Sequence, residues 1–463
     1  MSAVSPHVSF DLLQRYDRPG PRYTSYPTAV QFHDGFGEAA YREHLAAAAA
    51  QAGEPLSLYV HLPFCEERCS FCGCMVIITR KREVAATYLD YLKREVRLLR
   101  RALGSRRQVV QWHWGGGTPT YLAPAQIADL HASIAEHFDV QPGAEVAIEI
   151  DPRVTTHEQL ALLRQLGFNR LSLGVQDFTP EVQAAVNRIQ GVEPTRALYE
   201  HARALGFDSI NVDLIYGLPR QTRTSFAAAV DTVIAMRPDR VALYSYAHVP
   251  WIRGNQKSIP LADLPSPVQK LELFVAAMER FVAAGYSQIG MDHFALPSDP
   301  LAQACAAGRL HRNFMGYTTR PAADMIGVGV SAIGEVAGAF AQNVKKLSTY
   351  YAAIAEERFP VERGYRLDAD DRIRRYVIAE LMCNFRVARA EVERRFDLQF
   401  ETYFAQELEE LRAEPVADGL LTITPDALTV SAAGRLLVRN IAMIFDRHLR
   451  ARRTAAPTFS RTI

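Results

Sequence analysis

From residue 56 to residue 291 the sequence alternates between short apolar runs and longer amphipathic ones. Residues 56–62, 109–113, 145–150, 170–175, 209–216 and 240–246 read as strands. Helical spacing fills the gaps: in 83–103, for example, Tyr88, Leu89, Leu92, Val96 and Leu99 share one side. Residues 125–138, 157–166, 180–186, 194–205, 225–236 and 267–284 read as further helices, and 286–291 as a trailing strand. Strands that alternate with helices imply a parallel sheet with its helices outside. Right-handed crossovers wind such a sheet one way, toward a barrel or part of one. Ligands of these sheets bind at the carboxyl ends of the strands, so the loop after each strand is where chemistry is expected.

The first of those loops is unusual. Four of the six cysteines, Cys65, Cys69, Cys72 and Cys74, fall there in the spacing C-x3-C-x2-C-x-C, while Cys305 and Cys383 stand alone. Soft thiolates this close together suit zinc, copper(I) or an iron–sulfur cluster. Zinc sites usually pair two such motifs across a long loop, and no second pair follows. A disulfide framework fits poorly, because the chain is long and otherwise poor in cysteine. Four thiolates can each hold one iron of a cubane, and three leave one iron open. Cys72 and Cys74 are two residues apart, which lets Cys74 face away from a metal.

Composition narrows the partners. The 463 residues carry 52 Lys and Arg against 51 Asp and Glu, a net charge of +1, so no general attraction for nucleic acid or a membrane surface is expected. No apolar run reaches about 18 residues, and residues 1–13 lack the basic-then-apolar pattern of a secretory leader. Clustered thiolates without an export signal point to a reducing cytoplasm.

Outside the alternating region, residues 1–39 show no clear periodic element and read as an extended arm. Arg15 to Pro27 is rich in arginine, tyrosine and proline, which argues against helix. Residues 37–52 read as an alanine-rich helix, and 300–365 as a connection returning toward the site. From about residue 368 the composition shifts. Residues 373–383, 390–396, 403–411 and 432–449 read as helices and 421–430 as a hairpin. This gives a mostly helical C-terminal domain, 368–463, with winged-helix character, beside a catalytic domain at 40–367. A DNA-binding role for it would rest on analogy of fold alone.

The strand ends hold further candidates. Gly115-Gly116-Gly117-Thr118-Pro119 follows the second strand, and glycines there let a ligand approach the backbone. Glu149 and Asp213 interrupt otherwise apolar strands, where a carboxylate needs a partner: a ribose hydroxyl, an ammonium or an internal salt bridge. Gln176, Asp177, Asn187 and Arg188 follow the fourth strand, and Tyr244 to His248 the sixth. His61, His113, His248 and His293 are scattered and read as satisfied core histidines.

The motif C-x3-C-x2-C with Phe71 before its last cysteine resembles the radical S-adenosylmethionine (SAM) superfamily. Cys74, the preceding Tyr59-Val60-His61-Leu62-Pro63-Phe64 and the arm motif Pro21-Arg22-Tyr23-Thr24-Ser25-Tyr26-Pro27 resemble the oxygen-independent coproporphyrinogen III oxidase family within it. The resemblance implies an α/β fold, an incomplete parallel (β/α)6 barrel with an arm over the site. It implies a [4Fe-4S] cluster on Cys65, Cys69 and Cys72, with Cys74 not a ligand. Two SAM molecules are implied. Tyr59, Phe71, Gly116, Gly117, Thr118, Glu149 and Ile333 match positions that contact the first or line its site, and Gln176, Arg188, Asp213 and Ala247 match contacts of the second. Tyr59, Arg22, Tyr23 and Phe314 become candidates on the reacting side, with Arg22 a cation for substrate propionates. Met315 departs from the pattern, which has Gln there, and removes an amide donor. The implied reaction starts with an electron passed to SAM through the reduced cluster. The resulting 5′-deoxyadenosyl radical takes hydrogen from the β-carbon of a propionate of coproporphyrinogen III, and loss of CO2 and an electron leaves a vinyl group. A monomer is implied, while electron donor and acceptor are not identified. Alternatives are a haem-binding chaperone of this lineage, another radical-SAM tetrapyrrole enzyme such as a methyltransferase, and a structural zinc protein.

Overall fold

Six parallel strands run side by side: β1 (Leu56–Leu62), β2 (Gln108–Gly116), β3 (Asp139–Ile150), β4 (Arg170–Gln176), β5 (Ser209–Tyr216) and β6 (Arg240–Ser245). The computed structural model describes residues 9–451, 459, 461 and 462. The outermost parts of the expected arm and C-terminal domain, residues 1–8, 452–458, 460 and 463, lie outside the described residues. Helices cross from strand to strand, as the spacing predicts. Arg82–Ala102 follows β1 and buries Tyr88, Leu89, Leu92, Val96 and Leu99. Side chains of this kind each contribute about 1.5–3 kcal/mol when taken out of water.

The sheet has twelve strands and two open edges among the described residues, so the barrel is incomplete. The edges correct two expectations. Residues 286–291 do not extend the parallel run. Ser287–Gly290 pairs antiparallel with His293–Ala295, which itself lies antiparallel to β6. Residues 300–365 are more than a connection. Asp324–Val328 lies parallel to β1, and Ile333–Val336, Ala339–Asn343 and Val361–Arg366 add antiparallel strands beyond it. Tight turns rather than amphipathic helices join the first three of these strands, so the alternating signal is missing. Gly327 is needed there: a Cβ would sit 2.5 Å from the carbonyl oxygen of Ile333.

The floor of the barrel is polar, an arrangement that apolar runs do not announce. Gln111 accepts from Ser57 Oγ at 3.1 Å and donates to Glu145 at 3.0 Å. Arg170 bridges Glu145 and Ser209 at 2.8 and 3.0 Å, and Ser209 and Arg240 both bond Asp299. Every member has a partner, which is the condition for a buried polar layer to be tolerated.

The arm is not wholly extended. Phe10–Tyr16 is a helix capped by the Ser9 side chain, too short for its period to stand out in the sequence. The arm is fastened to the C-terminal region: Tyr16 Oη donates to Asp418 at 2.7 Å, Asn440 Nδ2 to Tyr16 O at 2.7 Å, and Tyr23 Oη to Asp446 at 2.9 Å. In that region Ala369–Asn384, Arg389–Phe396 and Ala405–Leu411 are helices as expected. The expected helix at 432–449 is broken into Gly434–Leu437, Val438–Met443 and Arg447–Ala451. The hairpin Leu421–Ile423 and Ala427–Val430 gains a third strand, Arg386–Ala388. No helix among the described residues is long and apolar enough to cross a membrane.

Candidate active site

The loop after β1 carries the four cysteines and is held by polar residues from distant elements. Ser70 N donates to Val186 O at 2.9 Å, and Asn187 Nδ2 to Arg68 O at 3.0 Å. Asn255 Nδ2 reaches Ser70 O and Cys72 O at 2.9 and 3.0 Å, and Gln256 Nε2 reaches Phe71 O at 3.0 Å. Asn255 and Gln256 went unnoticed in the sequence, since two amides in a loop carry no pattern.

Thr118 Oγ1 lies 3.4 Å from Cys65 Sγ. Arg153 and Arg188 place guanidinium nitrogens 3.7 and 3.6 Å from Cys69 Sγ while both pair with Asp151. Burial opposes the charge of Asp151, but Arg188 and Arg153 outweigh it and hold its carboxyl below the usual value. Burial pushes the Cys65 thiol up to about 11. The Cys74 thiol hydrogen-bonds Cys72, which lowers Cys72 and raises Cys74.

The glycine loop lies flat against the cysteine loop. Gly117 N donates to Leu62 O at 2.9 Å and Thr118 N to Phe64 O at 2.8 Å. Gly116 has φ +118°, and a Cβ on it would lie 2.6 Å from the His61 ring. Glu149 accepts from Gly116 N at 3.0 Å and from His113 Nε2 at 3.2 Å, leaving its side chain 43% exposed to the cavity. Burial works against its charge, and His113 with the Gly116 N–H reverses the balance, so its carboxyl is held low. Asp213 is the opposite case. Burial raises it to about 7 in spite of bonds from Asn211 Nδ2 at 2.8 Å and Ser172 Oγ at 3.3 Å.

These groups enclose one cavity of about 330 Å3. Cys65, Cys69, Cys72, Cys74, Phe71, Gly116, Gly117, Thr118, Glu149, Gln176, Arg188 and Asp213 all line it. Gln176 adopts φ +69° at a bulge in β4, a backbone state unusual for its type. The profile of the radical SAM superfamily matches residues 59–233, and that of the HemN C-terminal domain matches residues 367–437. The oxygen-independent coproporphyrinogen III oxidase of Escherichia coli K12 is 49% identical over 452 residues, covering 98% of each chain. The chain belongs to the oxygen-independent coproporphyrinogen III oxidase family. The Pseudomonas aeruginosa member is 47% identical over 95% of each chain. The solved coproporphyrinogen III oxidase (HemN) from Escherichia coli, described as a radical SAM enzyme, superposes with TM-score 0.91 at 46% identity, over 96% of this chain and 100% of that one.

A radical-SAM oxidase of this family needs a [4Fe-4S] cluster and SAM, and the residues present fit both. No three His, Cys, Asp or Glu side chains among the described residues converge on a single-ion position. A cluster asks for something else, separate thiolates on one wall, each for its own iron. For SAM, Gly116 and Gly117 line the cavity without a side chain, beside Glu149, a charged acceptor, and Asp213, a second carboxyl.

Not every expected residue of this oxidase lines that cavity. Tyr59 is half-buried beside it, with Oη 3.0 Å from His61 Nδ1 and its ring stacked on His113 at 6.0 Å. His61 Nε2 donates to Met75 O, so its Nδ1 accepts from Tyr59. Ala247 lines a neighbouring cavity and accepts from Gln256 through its carbonyl. Phe314 and Ile333 each pack against the cluster of Phe32, Phe340 and Leu367. Arg22 ion-pairs with Asp292 and lies 5.4 Å from the ring of Tyr244, which does line the cavity. Tyr23 is buried on Asp446, within the packing of arm against C-terminal region.

Proposed function

We propose that this protein oxidatively decarboxylates two propionate side chains of coproporphyrinogen III to vinyl groups, giving protoporphyrinogen IX in oxygen-independent haem biosynthesis. One observation carries the reading. The near full-length identity to coproporphyrinogen III oxidases coincides with a cavity that joins the cysteine loop, the glycine loop and two strand-end carboxyls.

Cys65, Cys69 and Cys72 hold the cluster, and Cys74 does not. Gly116, Gly117, Thr118, Glu149, Phe71, Tyr59 and Ile333 hold one SAM; Gln176, Arg188, Asp213 and Ala247 hold a second. Cluster and SAM together supply one-electron cleavage and a hydrogen-abstracting carbon radical. The chain's own work is positioning. The charged Glu149 accepts from a ribose hydroxyl or an ammonium. Asp213, at about 7, is able to present either a proton or a lone pair. Arg22 meets a propionate with the part of its guanidinium that Asp292 leaves free, and Tyr23 and Phe314 set the arm and hairpin that bound the substrate. The arm at 1–39 and the C-terminal domain at 368–463 keep water from the barrel domain at 40–367. The protein acts as a cytoplasmic monomer, without nucleic acid or membrane, and takes electrons from a separate donor and returns them to an acceptor.

The test is anaerobic incubation of the cluster-loaded protein with SAM, a reductant and coproporphyrinogen III. Protoporphyrinogen IX is the expected product. Its absence with an intact cluster, or stable haem binding without turnover, would sink the reading.

A further inference from the structure

A separate cavity of about 500 Å3 opens at the amino ends of the strands, with none of the four clustered cysteines in its wall. Ser57 and Met325, near the starts of their strands, form one side; the helices Ala369–Asn384 and Arg389–Phe396 form the other. Four arginines line it, Arg312, Arg372, Arg375 and Arg395, against two carboxylates, Glu335 and Glu380. Both carboxylates have partners, and Glu335 takes up the charge of Arg375, which leaves Arg312, Arg372 and Arg395. Arg375 donates to Glu335 at 2.7 Å, and Glu380 accepts from Asn384 at 3.1 Å.

Arg312 is the centre of the argument. Its Nε and Nη1 are buried and have no hydrogen-bond partner among the described residues. The guanidinium faces the Tyr317 ring at 4.5 Å, which stabilises the charge but offers no lone pair. A buried donor left without an acceptor is costly, and more so when it is charged. An oxyanion would satisfy it with charge-assisted bonds. The Tyr376 ring, with Arg395 4.9 Å from it, gives an organic ligand a flat wall. The volume suits a small molecule.

We propose that this cavity binds a small oxyanion, a carboxylate or a phosphate, with the buried Nε and Nη1 of the half-buried Arg312 as its receptor and Arg372 and Arg395 at its rim. The site does not depend on the reaction proposed above. It does touch the same machinery. Arg312 directly precedes Asn313, whose amide donates to Gln111 in the barrel floor at 3.0 Å, and Phe314, which packs on Phe340 at 5.7 Å. An occupied site would therefore brace this hairpin.

The experiment is anaerobic titration calorimetry on the cluster-loaded protein at constant ionic strength. Inorganic phosphate and citrate are injected separately, with chloride as reference. Saturable binding of phosphate or of citrate is expected, and which of the two binds identifies the source. Arg312→Met keeps the bulk of the side chain and should weaken binding about tenfold or more. The double variant Arg372→Ala, Arg395→Ala alters exposed positions only and should weaken it about threefold, so the test survives misfolding of the first variant. No saturable binding by either anion, or unchanged binding in the folded variants, overturns the proposal.

Discussion

Nη1 of Arg188 lies 3.6 Å from Sγ of Cys69 and 3.0 Å from Oδ2 of Asp151, so one cation serves both the cysteine loop and the end of β3. Arg188→Met keeps the stem and removes the charge. Asp151, 8% exposed, then keeps Arg153 alone as its cation. The expected loss is about 1–3 kcal/mol in urea unfolding, less than for breaking an isolated buried pair because Arg153 remains. Arg188→Lys should recover only part, since it cannot also fork to Gly174 O. Wild-type stability in Arg188→Met would show that the contact is incidental.

The cysteines should separate by substitution. Cys65→Ser, Cys69→Ser and Cys72→Ser are each expected to lose bound iron and sulfide together with the cluster's visible absorption. Cys74→Ser is expected to retain them, because Cys74 is exposed and spends its thiol on Cys72. Iron lost in Cys74→Ser but kept in Cys72→Ser would reverse the ligand assignment.

Much of this was legible because it is local. The cysteine spacing, the triple glycine and the carboxylates of β3 and β5 all lie within a few residues of a strand end, and the structure brings them to one cavity. What was not legible depends on pairing at long range. Asn255 meets Ser70 across 185 residues, and Asp299 meets Ser209 across 90. Tight turns join the first three strands after residue 320, so the alternation that exposed β1 to β6 had no counterpart there. Arg22, a cation for substrate propionates by resemblance, is paired with Asp292 from an unremarkable loop, which no local pattern announces.

Asp213 gives a pH signature with a definite sign. Its folded value, about 7, is above the ordinary 3.8. Between these values the folded state holds a proton that the unfolded state has released. Its contribution to stability is therefore full below about pH 4 and is lost as pH rises through about 7. Asp213→Asn cannot titrate. Melting temperatures of wild type minus variant should fall steadily from pH 4 to pH 8, and a flat difference would refute the raised value.

Glu95 tests a buried carboxyl with no catalytic part. It is 2% exposed and accepts from Gly329 N at 2.7 Å, Asn343 Nδ2 at 2.7 Å and Tyr350 Oη at 2.6 Å. Burial nevertheless lifts it to about 7. Glu95→Ala strands all three donors and opens a cavity, for an expected loss of about 3 kcal/mol or more. Glu95→Gln keeps the volume and one acceptor and should lose about 1 kcal/mol. Equal losses in chemical unfolding would mean that packing, not hydrogen bonding, is what Glu95 provides.

Gly117 is where the two loops leave no room for a side chain. A Cβ there would sit 2.7 Å from the carbonyl oxygen of Phe64, the residue before Cys65, and from the Pro63 carbonyl carbon. These are backbone atoms, held by Gly117 N to Leu62 O and Thr118 N to Phe64 O, and they cannot swing aside as a side-chain tip would. Gly117→Ala should push the start of the cysteine loop away from the barrel mouth and lower iron incorporation severalfold, while the barrel core, which it does not touch, keeps its far-UV signal. Gly73→Ala is the control within the same loop, since a Cβ at Gly73 meets nothing within 4 Å. It should load iron like wild type. If Gly117→Ala loads iron as well as Gly73→Ala does, the close apposition of the glycine and cysteine loops is not what positions the cluster.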